Sequence, residues 1–439
     1  MQRITVDFEK KIGVIKPFHA VNNAPLLGIN TSLFHYLKDA GVPYSRLHDT
    51  GGPYGQNRYV DIENIFHNFE ADPENPKSYD FAFTDFLLAE LIKQGVKPFF
   101  RLGTSIENGH IIKAYRIFPP KDNLKWAKIC EGIIKHYNNG WANGHHYDIK
   151  YWEIWNEPDN FPDIADNAMW KGTKEQYFEL YETAANYLKG KFPDIKIGGY
   201  ASCGFCAING AEVSKAANAS PRAEYFLEFF HDFMKYISSE EHKSPLDFFS
   251  WHSYDKSENN YKQSLYVRDQ LNQYGFNKAE NILNEWNTGI ERRGTEEDAC
   301  YISEMMCRLH SSPLDMLMYY GCNVKSSYCG LFNSMTNDIL PAYYAFHAFN
   351  ELYELKNEVC CEKDINFSAL AASDGKVGKI LIPNNTTKSI EIELELLNGW
   401  KMEKCRILDG INGLISKEIS QKLCITSNKI VIIECRKTA

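Results

Sequence analysis

Between residues 18 and 354 the chain repeats one pattern eight times: a short apolar run, an irregular connection, then a longer segment with apolar residues at helical spacing. The strand candidates are 18–22, 44–48, 97–102, 149–155, 195–200, 247–252, 280–285 and 315–321. Helix candidates follow them at 31–40, 81–94, 121–138, 173–189, 222–237, 260–274, 297–310 and 341–354. Near-continuous apolar strands that alternate with helices require a parallel sheet covered by those helices. Eight such units in about 340 residues fit a closed (β/α)8 TIM barrel of the α/β class. An open doubly wound sheet is the runner-up, but it normally carries a glycine-rich phosphate turn after its first strand, and none is present.

After residue 355 the pattern changes to short strands split by Asp-Gly, Asn-Asn and Asn-Gly turns. The alternation of Ile390-Glu391-Ile392-Glu393-Leu394-Glu395-Leu396 places the aliphatic residues on one buried face and the glutamates in water. A strand at 2–8 is expected to complete this sheet. The expected division is a catalytic barrel at 15–355 and a β-sandwich-like module made of 1–14 and 356–439. That module either braces the barrel or meets a neighbouring subunit in a homo-oligomer.

The bulk numbers exclude several functions. The formal net charge is −9 and no basic run stands out, so neither nucleic acid nor an anionic membrane is an expected partner. No stretch of about 18 apolar residues could form a transmembrane helix. The first residues lack the apolar core of a signal peptide, and the twelve cysteines read as reduced thiols, so the expected location is cytoplasmic. The pair Cys203 and Cys206 has CxxC spacing but no second pair or nearby His pair, so no metal and no organic cofactor is expected. His145 and His146, before the fourth strand, read as surface residues rather than ligands.

Chemistry is expected where barrel strands end. The fourth strand runs into Asn156-Glu157-Pro158 and the seventh into Asn284-Glu285-Trp286-Asn287. Strands four and seven lie on opposite sides of the mouth, so two carboxyl groups converge there. Two convergent carboxyl groups are what glycoside hydrolysis needs, one as proton donor and one as nucleophile or general base. Trp152, Ile154 and Trp155 are expected to desolvate Glu157 and raise its pKa. Amide donors around Glu285 are expected to keep it ionised.

The run Glu153-Ile-Trp-Asn-Glu-Pro158 resembles the fourth-strand signature of the retaining (β/α)8 glycosidases, and the chain most resembles glycoside hydrolase family 39. Tyr44-Ser-Arg46-Leu-His48, Lys97-Pro-Phe, Ser250-Trp-His252-Ser-Tyr254, Asn284-Glu285-Trp-Asn287, Gly330-Leu-Phe-Asn333 and Pro341-Ala-Tyr-Tyr344 match in order. The resemblance implies that Glu157 is the acid/base and Glu285 the nucleophile of a double displacement. It implies that Asn156 and His48 hold sugar hydroxyls, and that His252 and Tyr254 orient the two carboxyl groups. Trp286, Tyr320, Asp49 and Glu107 complete the expected substrate-binding set. Trp155, Trp251 and Tyr319 are further aromatic candidates for stacking, against a core role for about half of such residues. Glu153 reads as structural and paired with Arg46 or Arg101.

The implied substrate is an oligosaccharide or glycoside, with exo-action on a pentoside, as in a β-xylosidase. The loops after strands two and three, and Tyr319-Tyr320 at the end of strand eight, depart from the family pattern. Arabinofuranosidase or arabinoside-releasing, uronidase and galactosidase activities therefore stay open. A non-catalytic carbohydrate-binding barrel is the alternative from another functional class.

Overall fold

The structure is a computed structural model that describes residues 2–25, 33–48, 60–105, 117–209, 221–324, 326–364 and 367–438. It begins with a strand, β1 (Gln2–Val14). Then come the eight parallel strands of a closed barrel: β2 (Ala20–Asn22), β3 (Tyr44–Leu47), β4 (Lys97–Leu102), β5 (Tyr151–Ile154), β6 (Lys196–Ser202), β7 (Phe248–His252), β8 (Glu280–Trp286) and β9 (Met316–Tyr320). β9 pairs with β2 to close the ring. The helices are α1 (Phe34–Asp39), α2 (Ile62–Ile65), α3 (Ala82–Lys93), α4 (Asn123–Asn139), α5 (Lys174–Lys191), α6 (Pro221–Ser238), α7 (Ser257–Gln273), α8 (Glu296–Leu309) and α9 (Pro341–Tyr353).

Alternation along the strands sorts side chains between the barrel interior and the helix layer. Ala20, Phe99, Tyr151, Phe248, Ile282, Met316 and Met318 form a compact apolar plug inside. Their neighbours Val21, Phe100, Trp152, Phe249, Leu283 and Leu317 belong to the large cluster shared with the helices. Two residues further along the interior the chemistry becomes polar, with Arg46, Arg101, Glu153 and Asn284 all fully buried. The plug fills one end of the barrel, and the buried polar groups lie beyond it.

After the barrel come β10 (Asn357–Glu362), β11 (Leu370–Ser373), β12 (Val377–Asn384), β13 (Ile390–Leu396), β14 (Trp400–Asp409), β15 (Gly413–Lys417), β16 (Lys422–Ile425) and β17 (Lys429–Lys437). With β1 they make one nine-stranded sheet, in the order β15-β14-β17-β12-β11-β10-β1-β13-β16. β1 sits between β10, which it meets antiparallel, and β13, which it meets parallel. In a flat sheet five strand spacings, about 24 Å, would separate β14 from β1. The rings of Trp400 and Phe8 are nevertheless 4.7 Å apart, so the sheet is rolled on itself. Ile4, Val6, Ile392, Leu394, Val431 and Ile433 fill the inside of the roll. Leu370, Leu381, Leu408, Ile430 and Ile432, on the other face, join the barrel's cluster. Lys379 and Arg406 of the sheet both bind Glu351 of α9 (2.7 and 2.5 Å), and Lys429 binds Glu296 of α8. Among the described residues no helix is long and apolar enough to cross a membrane.

Candidate active site

The end of β5 departs from regular strand geometry. Trp155 still donates its N–H to Leu102 O (2.7 Å), but its φ is 76°, and Glu157 has φ 47°. Left-handed backbone at two non-glycine residues costs on the order of 1–3 kcal/mol each and persists only where the surroundings enforce it. Gly103 makes room for it: a Cβ there would lie 3.2 Å from Trp155 Cα. The Glu157 N–H bonds the carbonyls of Tyr200 and Ala201 at the end of β6 (3.2 and 3.1 Å). Asn160 closes a turn by donating its N–H to Glu157 O (3.0 Å).

A second irregularity serves Glu285. Along β8 the pairing with β7 steps from Leu283 opposite Trp251 to Glu285 opposite His252. Against β9 it jumps from Leu283 to Trp286. A one-residue bulge reverses the parity of the strand. Asn284 and Glu285 consequently both reach interior groups, and Trp286 turns outward.

His252 stands between the two carboxyl groups. Its Nδ1 donates to Glu157 Oε1 (2.7 Å), and its Nε2 lies 3.7 Å from Glu285 Oε2. One oxygen of Glu157, one of Glu285 and a ring nitrogen of His252 all lie within 4.8 Å of one another. Glu157 Oε2 also accepts from Asn160 Nδ2 (2.9 Å). Glu285 Oε1 accepts from the Tyr254 hydroxyl (2.6 Å), and its Oε2 lies 3.3 Å from Arg46 Nη1. Arg46 links the whole floor. Its Nε binds Glu153 (2.7 Å) and its Nη2 binds Asn156 Oδ1 (2.6 Å), while Asn284 Nδ2 binds the other oxygen of Glu153 (2.6 Å). Arg101 instead pairs with Asp61 (2.5 Å).

Two expectations about charge are corrected. Burial does push the Glu157 carboxyl upward, but the hydrogen bond and charge of His252, then Asn160 and Arg222, outweigh it and hold it below the ordinary carboxylate value. Burial would likewise lower His252, yet the charge of Glu285 and the bond to Glu157 hold it above the ordinary imidazole value. The two shifts favour a proton on His252 over one on Glu157. The donors to Glu285 are not the flanking amides but Tyr254 and Arg46. Asn284 serves Glu153, and Asn287 Nδ2 binds the carbonyls of Tyr320 and Tyr328 (2.5 and 2.9 Å).

The aromatic expectations divide. Trp155, Trp251 and Trp286 are fully buried, as is Tyr319, whose ring meets Trp286 edge-on at 5.3 Å. Trp286 thus backs the site instead of lining it, because the parity change in β8 turns it into the helix layer. Tyr254 is half exposed and Tyr320 partly so. His48 and Asn156 are buried at the ends of β3 and β5. Asp49 and Glu107 lie outside the described residues.

A cavity of about 910 Å³ opens beside Glu157, His252 and Tyr254 and runs over the loops after β6, β7 and β8. Cys203, Cys206, Arg222 and Tyr328 line it. Asn160 and the buried Asp159 are site residues outside the motifs that the sequence offers. Asp159 accepts from the Ser202 hydroxyl (2.7 Å), and burial raises its pKa to about 7. The turn-forming run Pro158-Asp159-Asn160 directly after Glu157 was the available signal.

A β-xylosidase from Geobacillus stearothermophilus is 25% identical to this chain over 245 residues, which cover 53% of this chain and 42% of that protein. A β-xylosidase from Caldicellulosiruptor saccharolyticus is 25% identical over 237 residues, 48% of this chain and 45% of that protein. The matched region thus spans less than half of either relative. Among solved structures, a glucosidase from Croceicoccus marinus superposes with a TM-score of 0.78 at 19% identity, covering 100% of this chain and 99% of that one. A monomeric β-xylosidase from Caulobacter crescentus CB15 gives 0.71 at 17% identity, with all of both chains covered. These likenesses establish the shared fold. The sequence profile described as glycosyl hydrolases family 39 matches residues 57–352, well over half of the chain, and this chain belongs to that family.

Proposed function

We propose that this protein is a retaining glycoside hydrolase, exo-acting on a pentoside in the manner of a β-xylosidase. The observation that carries the reading is the approach of Glu157 and Glu285 oxygens to within 4.8 Å, with His252 between them. Retaining enzymes hold their carboxyl groups about 5–5.5 Å apart, whereas an inverting site leaves about 6.5–9.5 Å for a water. Family membership and the names of the two curated relatives support the same chemistry.

In this mechanism Glu285 attacks the anomeric carbon, and Arg46 and Tyr254 hold its carboxylate in place. Glu157 protonates the leaving oxygen with the proton that rests on the His252 pair. It then removes a proton from the water that hydrolyses the glycosyl-enzyme. Asn156 is gripped by Arg46 through Oδ1, which leaves its NH2 end for a sugar hydroxyl. No step calls for a metal or organic cofactor. All twelve cysteines are free thiols, which supports a cytoplasmic setting.

The test is hydrolysis of an aryl β-D-xyloside followed by NMR. The first-formed sugar should have the β configuration. An α first product would overturn retention. A panel of arabinofuranosides, galactosides and uronides run alongside would reassign the sugar if one of them were turned over faster than the xyloside.

A further inference from the structure

Away from the active site, three titratable side chains from three separate segments converge. Asp85 lies in the first turn of α3, His136 in the last turns of α4, and His145 in the connection to β5. His136 Nε2 is 2.9 Å from Asp85 Oδ1, and His145 Nε2 is 3.6 Å from the same oxygen. One donor atom from each of the three lies within 4.8 Å of the others.

Hydrogen bonding determines what these atoms can do. His136 Nδ1 faces Trp141 O at 2.9 Å, and a carbonyl only accepts, so Nδ1 carries a proton. In neutral His136 the Nε2 lone pair then points at the Asp85 carboxylate. A proton on that nitrogen would satisfy Asp85 and His136. It would still leave His145 Nε2, which is buried and without a hydrogen-bond partner. One cation at the convergence point satisfies both imidazoles and the carboxylate together.

The surroundings hold this geometry. Phe81 stacks on His136 with ring centroids 3.6 Å apart, and Tyr147 stacks on His145 at 4.5 Å. Gly144 is pressed against His136, where a Cβ would lie 2.1 Å from its carbonyl oxygen. Ala142 and Asn143 keep a positive φ of 57° to bring the connection back over α4. An imidazole that ligates a metal usually donates its other N–H to a carbonyl or carboxylate, as His136 does here. Zinc with tetrahedral N and O ligands at about 2.0–2.2 Å places the donors about 3.3–3.6 Å apart. The Asp85–His145 pair, at 3.6 Å, already has that spacing, and the Asp85–His136 pair, at 2.9 Å, would open by about 0.5 Å on binding the ion.

We propose that Asp85, His136 and His145 form a zinc-type divalent metal site that ties α3, α4 and the connection to β5 together. Two nitrogens and one carboxylate oxygen suit Zn2+, with a water as fourth ligand. The side chains of Asp85 and His145 are about a third exposed, which gives the ion and its water a way in.

The test starts from chelator-stripped, full-length protein. Zn2+ is titrated by calorimetry, and bound metal is counted by mass spectrometry after dialysis. Wild type should retain one Zn2+ per chain and gain thermal stability on binding it. His145→Ala and Asp85→Asn should lose both the bound ion and the gain, with far-UV circular dichroism unchanged in chelator. The double variant Glu157→Gln/Glu285→Gln controls for the second carboxylate and histidine cluster and should retain the ion. If a variant fails to fold, Co2+ bound to wild type reports the site directly through the visible bands of tetrahedral N and O coordination. Failure of wild type to bind, retention by His145→Ala, or loss in the Glu157/Glu285 double variant would each overturn the proposal.

Discussion

At Glu157 and His252 two carboxyl oxygens, one imidazole and a single proton share a volume a few ångströms across. Burial acts on both residues in the direction that disfavours charge, and it loses in both, because His252 faces the charge of Glu285 and the bond to Glu157, and Glu157 takes the bond and charge of His252. In the proposed mechanism the pair keeps its proton until the pH passes the raised value of His252, and afterwards Glu157 has none to give. The alkaline limb of kcat/KM against pH should therefore fall above the ordinary imidazole value of about 6.5. A limb near about 4.5 would show that Glu157 holds its own proton. Glu157→Gln preserves the shape and the bond to Asn160 but removes the donor. It should lower kcat on an unactivated glycoside by about 10²–10⁴-fold, the usual contribution of a general acid. Unchanged turnover would sink the assignment.

At the scale of elements, Glu351 of α9 joins barrel and sheet. Its carboxylate receives His347, Arg406 and Lys379, and these donors overcome burial to hold it well below the usual carboxylate range. Removing it leaves the nearly buried Arg406 and Lys379, 15–16% exposed, without this carboxylate, and Lys379 keeps Glu434 at 3.8 Å. We expect Glu351→Gln to lose about 2–3 kcal/mol in denaturant unfolding at pH 7, short of the about 3–5 of a fully enclosed pair. A carboxyl whose folded pKa is depressed stabilises above its unfolded pKa, and that contribution is lost as pH falls through the folded value. The gap between wild type and Glu351→Gln should accordingly narrow below about pH 4.5. A gap independent of pH would assign the loss to packing.

Among the described residues no clean seam divides the two sheets. Leu370, Leu381, Leu408, Ile430 and Ile432 of the rolled sheet belong to the same apolar cluster as the barrel helices. Calorimetry should therefore show one unfolding transition, and two separate peaks would refute that coupling. What the sequence by itself determined is what is written locally. The eight strand and helix units are legible because their period recurs within each short segment. The face of Ile390–Leu396 is legible for the same reason, with Ile392 and Leu394 buried and Glu391 and Glu395 exposed. The strand-end positions of Glu157 and Glu285 were legible because each sits in a short motif. Strand order was not, since β1 pairs in parallel with a strand 390 residues away. Nor were the positive φ at Glu157, the bulge that turns Trp286 outward, or the direction of the charge shifts. Those depend on His252, Arg46, Tyr200 and Tyr254, which only the closed barrel brings together. Period is a property of neighbours along the chain, whereas the field at a carboxylate is summed over neighbours in space, and only the tertiary structure decided which residues those are.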